Sequence, residues 1–133
     1  MSEVDIDADI AGCPYITTIK SMAELSTFTK SHKRCLVMMS MRGCIACNTA
    51  APHLIAAAKK YQKKLWIAYL DITDVGIKTS SVPLFQGFFM GYKLPELTDR
   101  GYGEDSLNDL MERLWLTKMG AEKTGEENTE DDE

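Results

Sequence analysis

Apolar residues along the chain come in two kinds of pattern, continuous short runs and helically spaced stripes. CLVMMS (residues 35–40) and LWIAYLDI (65–72) are almost unbroken runs of Val, Ile, Leu and other apolar side chains, as expected of strands covered on both faces. YITTI (15–19) is short and β-branched and predicts a strand ahead of them. VPLFQGFFM (82–90) opens on a proline and continues as an aromatic strand. Gly91 then permits a tight turn into YKLPELT (92–98), where Pro95 marks a sheet edge. Between these runs the period changes. Ser21 and Glu24 fit a capping box, with Met22, Leu25 and Phe28 following at helical spacing up to the basic stretch SHKR (31–34). CIACNTAAPHLIAAAKKYQKK (44–64) is alanine-rich with lysines at its far end, and predicts a strong helix kinked at Pro52. Leu107, Leu110, Met111, Leu114 and Trp115 form one apolar stripe on a last helix. DVGIKTSS (74–81) reads as a loop. The order is strand, helix, strand, helix, strand, hairpin, helix. It predicts an α/β fold, a central mixed sheet with right-handed parallel crossovers and helices on both faces.

Composition changes this picture mainly at the ends. With 133 residues, 44% hydrophobic and 26% charged, the chain fits one globular domain. The formal charge of −5 gives no electrostatic reason to expect nucleic acid or an anionic membrane as partner. Acidic residues crowd into MSEVDIDAD and GEENTEDDE, so the expected organisation is a flexible leader over 1–13, a domain over 14–119 and a solvated, disordered tail over 120–133. No run approaches the ~18 apolar residues that span a bilayer, and the acidic start is unlike a secretory signal. A reducing, cytoplasmic location is therefore expected. Stable structural disulfides are uncommon there, so a close cysteine pair points to catalysis or metal binding.

Cys44 and Cys47 are such a pair, placed where a buried strand turns into a helix. Three readings compete: a metal clamp, a reversible disulfide, and inert thiols. A helix N-terminus offers unpaired N–H groups and the positive end of the macrodipole, so a thiolate there is stabilised, with a pKa in the ~3.5–7.5 range of such sites. Arg42, two residues upstream, adds positive charge. On this reading Cys44 is the exposed nucleophile and Cys47, nearly one turn inside the helix, is the resolving thiol. Zinc normally takes four ligands, often as two close pairs. Cys13 and Cys35 stand 22 residues apart and form no second pair, and His32 with Cys35 would point into a core. The dithiol reading is favoured and no metal is expected. Val82-Pro83 is the second signal. By base rate the bond is trans. A cis bond would turn the Val82 backbone toward the sulfurs, where a substrate's extended chain can pair with it.

Other chemistry-bearing residues have plainer readings. Met38, Met39 and Met41 are expected in a strand core and not on copper, His53 on the surface, and Trp66 and Trp115 in or near the core. Cys35 is expected to be buried and inert. Cys13 falls in the leader.

With pair and proline placed, the sequence resembles the thioredoxin family over roughly residues 15–119. CxxC is followed five residues after Cys47 by Pro52, then by a helix ending in YQ-K-L and a buried strand ending in Asp71. Val82-Pro83 matches the family's cis-proline, Gly91 its hairpin turn and Gly101 the glycine after the last strand. The resemblance implies a thioredoxin-like fold and a thiol–disulfide oxidoreductase active in cell redox homeostasis and electron transport. Cys44 and Cys47 would be catalytic, with Val82, Pro83, Gly43 and Ile45 as substrate contacts. It further implies no bound cofactor and a monomer whose partners are proteins with disulfides or thiols and a reductase for recycling. The sequence departs from the family at specific positions. Gly43 replaces the usual Trp, and Ile45-Ala46 replaces Gly-Pro. Met38 and Tyr69 occupy the positions of a buried Asp and Lys that move protons, and the segment 71–83 is short for the usual helix. Two alternatives follow, a protein-binding module on this scaffold and a glutaredoxin-like, glutathione-dependent reductase. The latter's Pro-Tyr motif and Gly-rich pair are not evident.

Overall fold

The computed structural model describes Ile10 and residues 12–79, 81–101 and 103–117. Among these, five strands form one mixed sheet: β1 (Ile16–Ile19), β2 (Arg34–Ser40), β3 (Trp66–Asp71), β4 (Leu84–Phe89) and β5 (Tyr92–Asp99), in the order β1-β3-β2-β4-β5. β3 runs parallel to β1 and β2, and the β4–β5 hairpin is antiparallel, with Met38 opposite both Tyr69 and Phe85. β2 is central and buried at every position, which is why its sequence shows no alternation.

Alternate residues of β2 feed two apolar layers. Leu36 and Met38 join the layer under α2 (Ile45–Lys60) and α4 (Glu104–Trp115). Cys35, Val37 and Met39 join the layer under α1 (Met22–Ser31) and the single turn α3 (Ile72–Val75). α1 starts with half of the expected capping box: the Glu24 N–H donates to Ser21 Oγ at 3.1 Å, while the Glu24 carboxylate accepts from the Lys20 N–H, one residue ahead of the cap, at 2.7 Å. α4 buries Leu107, Leu110, Met111 and Leu114, the stripe read from the sequence. Gly87 lets this helix sit close, since a Cβ there would lie 3.1 Å from Leu97 Cβ and 3.4 Å from Leu114 Cδ1. The β4–β5 turn places Met90 at φ 52° and Gly91 at φ 88°, the left-handed pair that a two-residue hairpin requires.

The structure corrects several expectations. Residues 74–81 are not wholly loop, because the chain first makes α3: Asp71 caps it by accepting from the Thr73 N–H at 2.8 Å, and Gly76 ends it at φ 87°. Trp66 is 44% exposed, with its ring stacked on His32 at 4.1 Å. Met41 lies beyond the end of β2 and is exposed. The leader expected over 1–13 does not detach at residue 13, since Ile10 and Cys13 are buried in the α2/α4 layer. Residues 1–9 and the expected tail, 120–133, lie outside the described residues.

Candidate active site at the carboxyl end of β2

β2 ends at Ser40, and the next four residues turn the chain into α2. The Cys44 N–H closes that turn on the Met41 carbonyl at 3.1 Å, which requires Gly43 to adopt φ +85°. A Cβ at Gly43 would meet nothing within 4 Å, so the need for glycine is conformational and not steric. Gly43→Ala is accordingly expected to lower stability by about 1 kcal/mol, measured by urea unfolding, without blocking the fold.

Cys44 is the N-cap of α2. Its Sγ accepts from the Cys47 N–H at 3.0 Å, and its carbonyl accepts from the Asn48 N–H at 3.1 Å. Sulfur thus takes the place that an Asp or Ser oxygen usually fills at a helix start. Cys44 and Cys47 form a disulfide across this first turn, with Cα atoms 5.2 Å apart. The two sulfurs differ in access: Cys47 is fully buried and Cys44 only partly so. No acidic side chain stands in the first turn of α2, while Lys59 and Lys60 occupy its last, an arrangement that complements the helix dipole and leaves its positive end uncancelled at Cys44.

The β4 side completes the site. The Val82-Pro83 bond is cis, and the Val82 carbonyl oxygen lies 3.8 Å from Cys44 Sγ. Pro83 is buried and Val82 half-buried. Ile45, between the cysteines, is 81% exposed, and Met41 is also exposed. Cys44, Cys47, Gly43, Ile45, Val82 and Pro83 therefore gather at one place.

Arg42 is met by two carboxylates. Its N–H donates to Asp71 Oδ2 at 3.1 Å, and its guanidinium lies 3.5 Å from carboxylate oxygens of both Asp71 and Asp74. Two carboxylates thus offset the charge that the sequence reading directed at Cys44. Asp71 is the residue that this reading passed over. It is buried at the end of β3, where it holds both the turn before Cys44 and the start of α3. The sequence signal was the Asp closing a buried strand two residues before Thr73.

Met38 and Tyr69 sit side by side in the sheet, buried in the same layer as Cys47. A thioether and a phenol thus share the core layer that holds Cys47. Among the described residues, no three His, Cys, Asp or Glu side chains gather as metal ligands. Cys13 and Cys35 are free and buried. The Cys35 thiol faces the carboxyl end of α1, where it donates to the His32 carbonyl at 3.5 Å, and burial pushes its pKa from 9.0 up to about 12. Below pH ~9 this thiol is protonated in both folded and unfolded chains. Between about 9 and 12 only the unfolded chain releases the proton, so stability falls with rising pH by up to about 1.4 kcal/mol per unit. Urea unfolding is expected to show a steeper alkaline decline in wild type than in Cys35→Ala.

No protein-family model matches this sequence, and no curated protein matches it. Solved structures do match it. Plasmodium falciparum thioredoxin superimposes with a TM-score of 0.67 at 22% identity, covering 73% of this chain and 97% of its own. Oxidised mitochondrial thioredoxin 3 of Saccharomyces cerevisiae gives 0.67 at 16% identity, covering 74% and 95%. Fasciola hepatica thioredoxin gives 0.66 at 18%, covering 74% and 98%. The chain has the thioredoxin fold. Its described part carries a CxxC disulfide at the start of α2, and none of its described helices is long and apolar enough to cross a membrane.

Proposed function

We propose that the protein is a thiol–disulfide oxidoreductase acting on protein substrates in the cytoplasm or another reducing compartment. The observation that carries this reading is the Cys44–Cys47 disulfide, capping a helix with its outer sulfur partly open and within 3.8 Å of the Val82 carbonyl. In the reduced protein, Cys44 thiolate attacks one sulfur of a substrate disulfide. The substrate's other sulfur leaves as thiolate and takes a proton, and a Cys44–substrate mixed disulfide remains. The free N–H groups of α2 favour the thiolate, and the backbone of Val82 offers an extended substrate chain a partner. Cys47 then loses its proton and attacks Cys44 Sγ. This releases a reduced substrate and restores the disulfide. Two electrons and two protons from an external disulfide reductase complete the cycle. No bound cofactor takes part.

Insulin reduction tests this reading directly. Wild type is expected to turn over with added dithiol, and alkylation with mass analysis should show two thiols appearing at Cys44 and Cys47 on reduction and vanishing on oxidation. The competing reading, a binding module on this scaffold, draws on Met38 and Tyr69 standing where a proton-transfer pair would be, and predicts no turnover. A pair that cannot be reversibly opened would favour that module.

A further inference from the structure

The layer on the α1 side of the sheet is only partly roofed. The connection from β3 to β4 contains the single turn α3, and next to it, over β4 and β5, lies a groove of about 620 Å³. Its floor is apolar: Met22 from α1, Met39 from β2, Ile77 beyond α3, Leu84 and Phe88 from β4, and Pro95 from β5. Lys78, Lys93 and Arg100 also line it, and no Asp or Glu is among the described residues that do. In a chain with 20 acidic and 15 basic residues this is a local reversal of charge.

The groove lies on the α1 face of the sheet, across from the α2 layer that holds Cys47, and begins at the sheet end that carries the disulfide site. Met39 and Leu84 are partners in the β2–β4 register, at the end of the strand pair that carries the cysteine turn. Leu84 is two residues from Val82, so at ~3.3 Å per residue the near end of the groove lies within about 7 Å of the backbone that meets Cys44 Sγ.

We infer that this groove extends the disulfide site and docks an extended segment of a partner protein in which large apolar side chains alternate with carboxylates. The inference rests on the reading of Cys44 and Cys47 as an exchange site. Apolar side chains of the segment bury against Ile77, Leu84 and Phe88 and leave water, which is favourable in proportion to the area covered. Alternate side chains of an extended chain point away from the floor, and there its carboxylates pair with the long side chains of Lys78, Lys93 and Arg100 reaching up beside the segment. The floor of thioether, aliphatic and aromatic groups offers little to a bare phosphate, so an acidic, apolar peptide fits better than a nucleic acid backbone.

Three synthetic peptides test this, each carrying a cysteine as its mixed disulfide with thionitrobenzoate, whose release is coloured. One continues with leucines alternating with glutamates, the second with leucines and lysines, the third with serines and glutamates. The reduced full-length protein is expected to react with the Leu/Glu peptide about tenfold faster than with either of the others at low salt, an electrostatic and apolar advantage that shrinks in molar salt. The double variant Lys93→Glu, Arg100→Glu should lose the advantage over the Leu/Lys peptide, while its rate with the small disulfide dithiobis-nitrobenzoate stays within about twofold of wild type, since neither residue touches the sulfurs. Equal rates for the Leu/Glu and Leu/Lys peptides, an advantage that survives the double variant, or an equally fast Ser/Glu peptide would each overturn the extension alone. A wild type inert toward dithiobis-nitrobenzoate would overturn the exchange site and the extension with it.

Discussion

Cys47→Ser is expected to turn a catalyst into a trap. With serine at 47, Cys44 still attacks a substrate disulfide, but nothing resolves the mixed disulfide that forms, because a hydroxyl cannot displace the substrate sulfur. Incubation with a protein disulfide should therefore give a covalent adduct on non-reducing gels that dithiothreitol dissolves. Cys44→Ser should give no such adduct, and its insulin-reducing activity should fall at least about a thousand-fold, since loss of the attacking sulfur removes the whole covalent route. The asymmetry follows from access: Cys47 is fully buried one turn into α2, whereas Cys44 caps the helix at the surface. Adducts forming equally on both variants would show that the roles are not divided as assigned.

Leu54→Ala should have the largest effect on stability among simple truncations of α2. The residues that this helix buries are Cys47, Ala50, Ala51, Leu54, Ala57 and Ala58, so Leu54 is the one large side chain among them. Alanines let the helix lie close to the sheet but contribute little apolar area each. Leu54 is fully buried in the layer that also holds Leu36, Met38, Tyr69 and Phe85. Truncation leaves a cavity among rigid strand side chains that cannot close over it, at a cost of about 2–5 kcal/mol. That is a large part of the total stability of an ordinary domain, about 5–15 kcal/mol. Urea unfolding should show the midpoint drop, and a loss under about 1 kcal/mol would mean that α2 is held some other way.

The layout of the fold was legible because its central strands and helices carry opposite periodicities. The unbroken run at 35–40 matched a strand buried on both faces, and the stripe from Leu107 to Trp115 matched a helix resting on one. The cysteine pair was legible for the same reason, as a motif standing where one periodicity gave way to the other. What stayed hidden depends on distance in space. Arg42 stands two residues from Cys44, yet its charge goes to Asp71 and Asp74, roughly thirty positions away. Asp71 closes a strand in sequence, but in space it steadies the turn that carries Cys44. Trp66 looked like core because strands here are buried, whereas it begins β3 and shows its ring to solvent against His32. Cys13 and Ile10 looked like part of an acidic leader because their neighbours are charged, and both are buried against the α2/α4 layer.

The proposed division of roles requires Cys44 to be the ionised, reachable member of the pair. The most direct measurement is competitive alkylation of the reduced protein with less than one equivalent of iodoacetamide at neutral pH, each cysteine being quantified by peptide mass analysis. Label is expected on Cys44 at about tenfold or more over Cys47, with Cys13 and Cys35 unlabelled, because thiolate character and exposure together set the rate. Label shared evenly between Cys44 and Cys47, or falling first on Cys47, would contradict that division of roles.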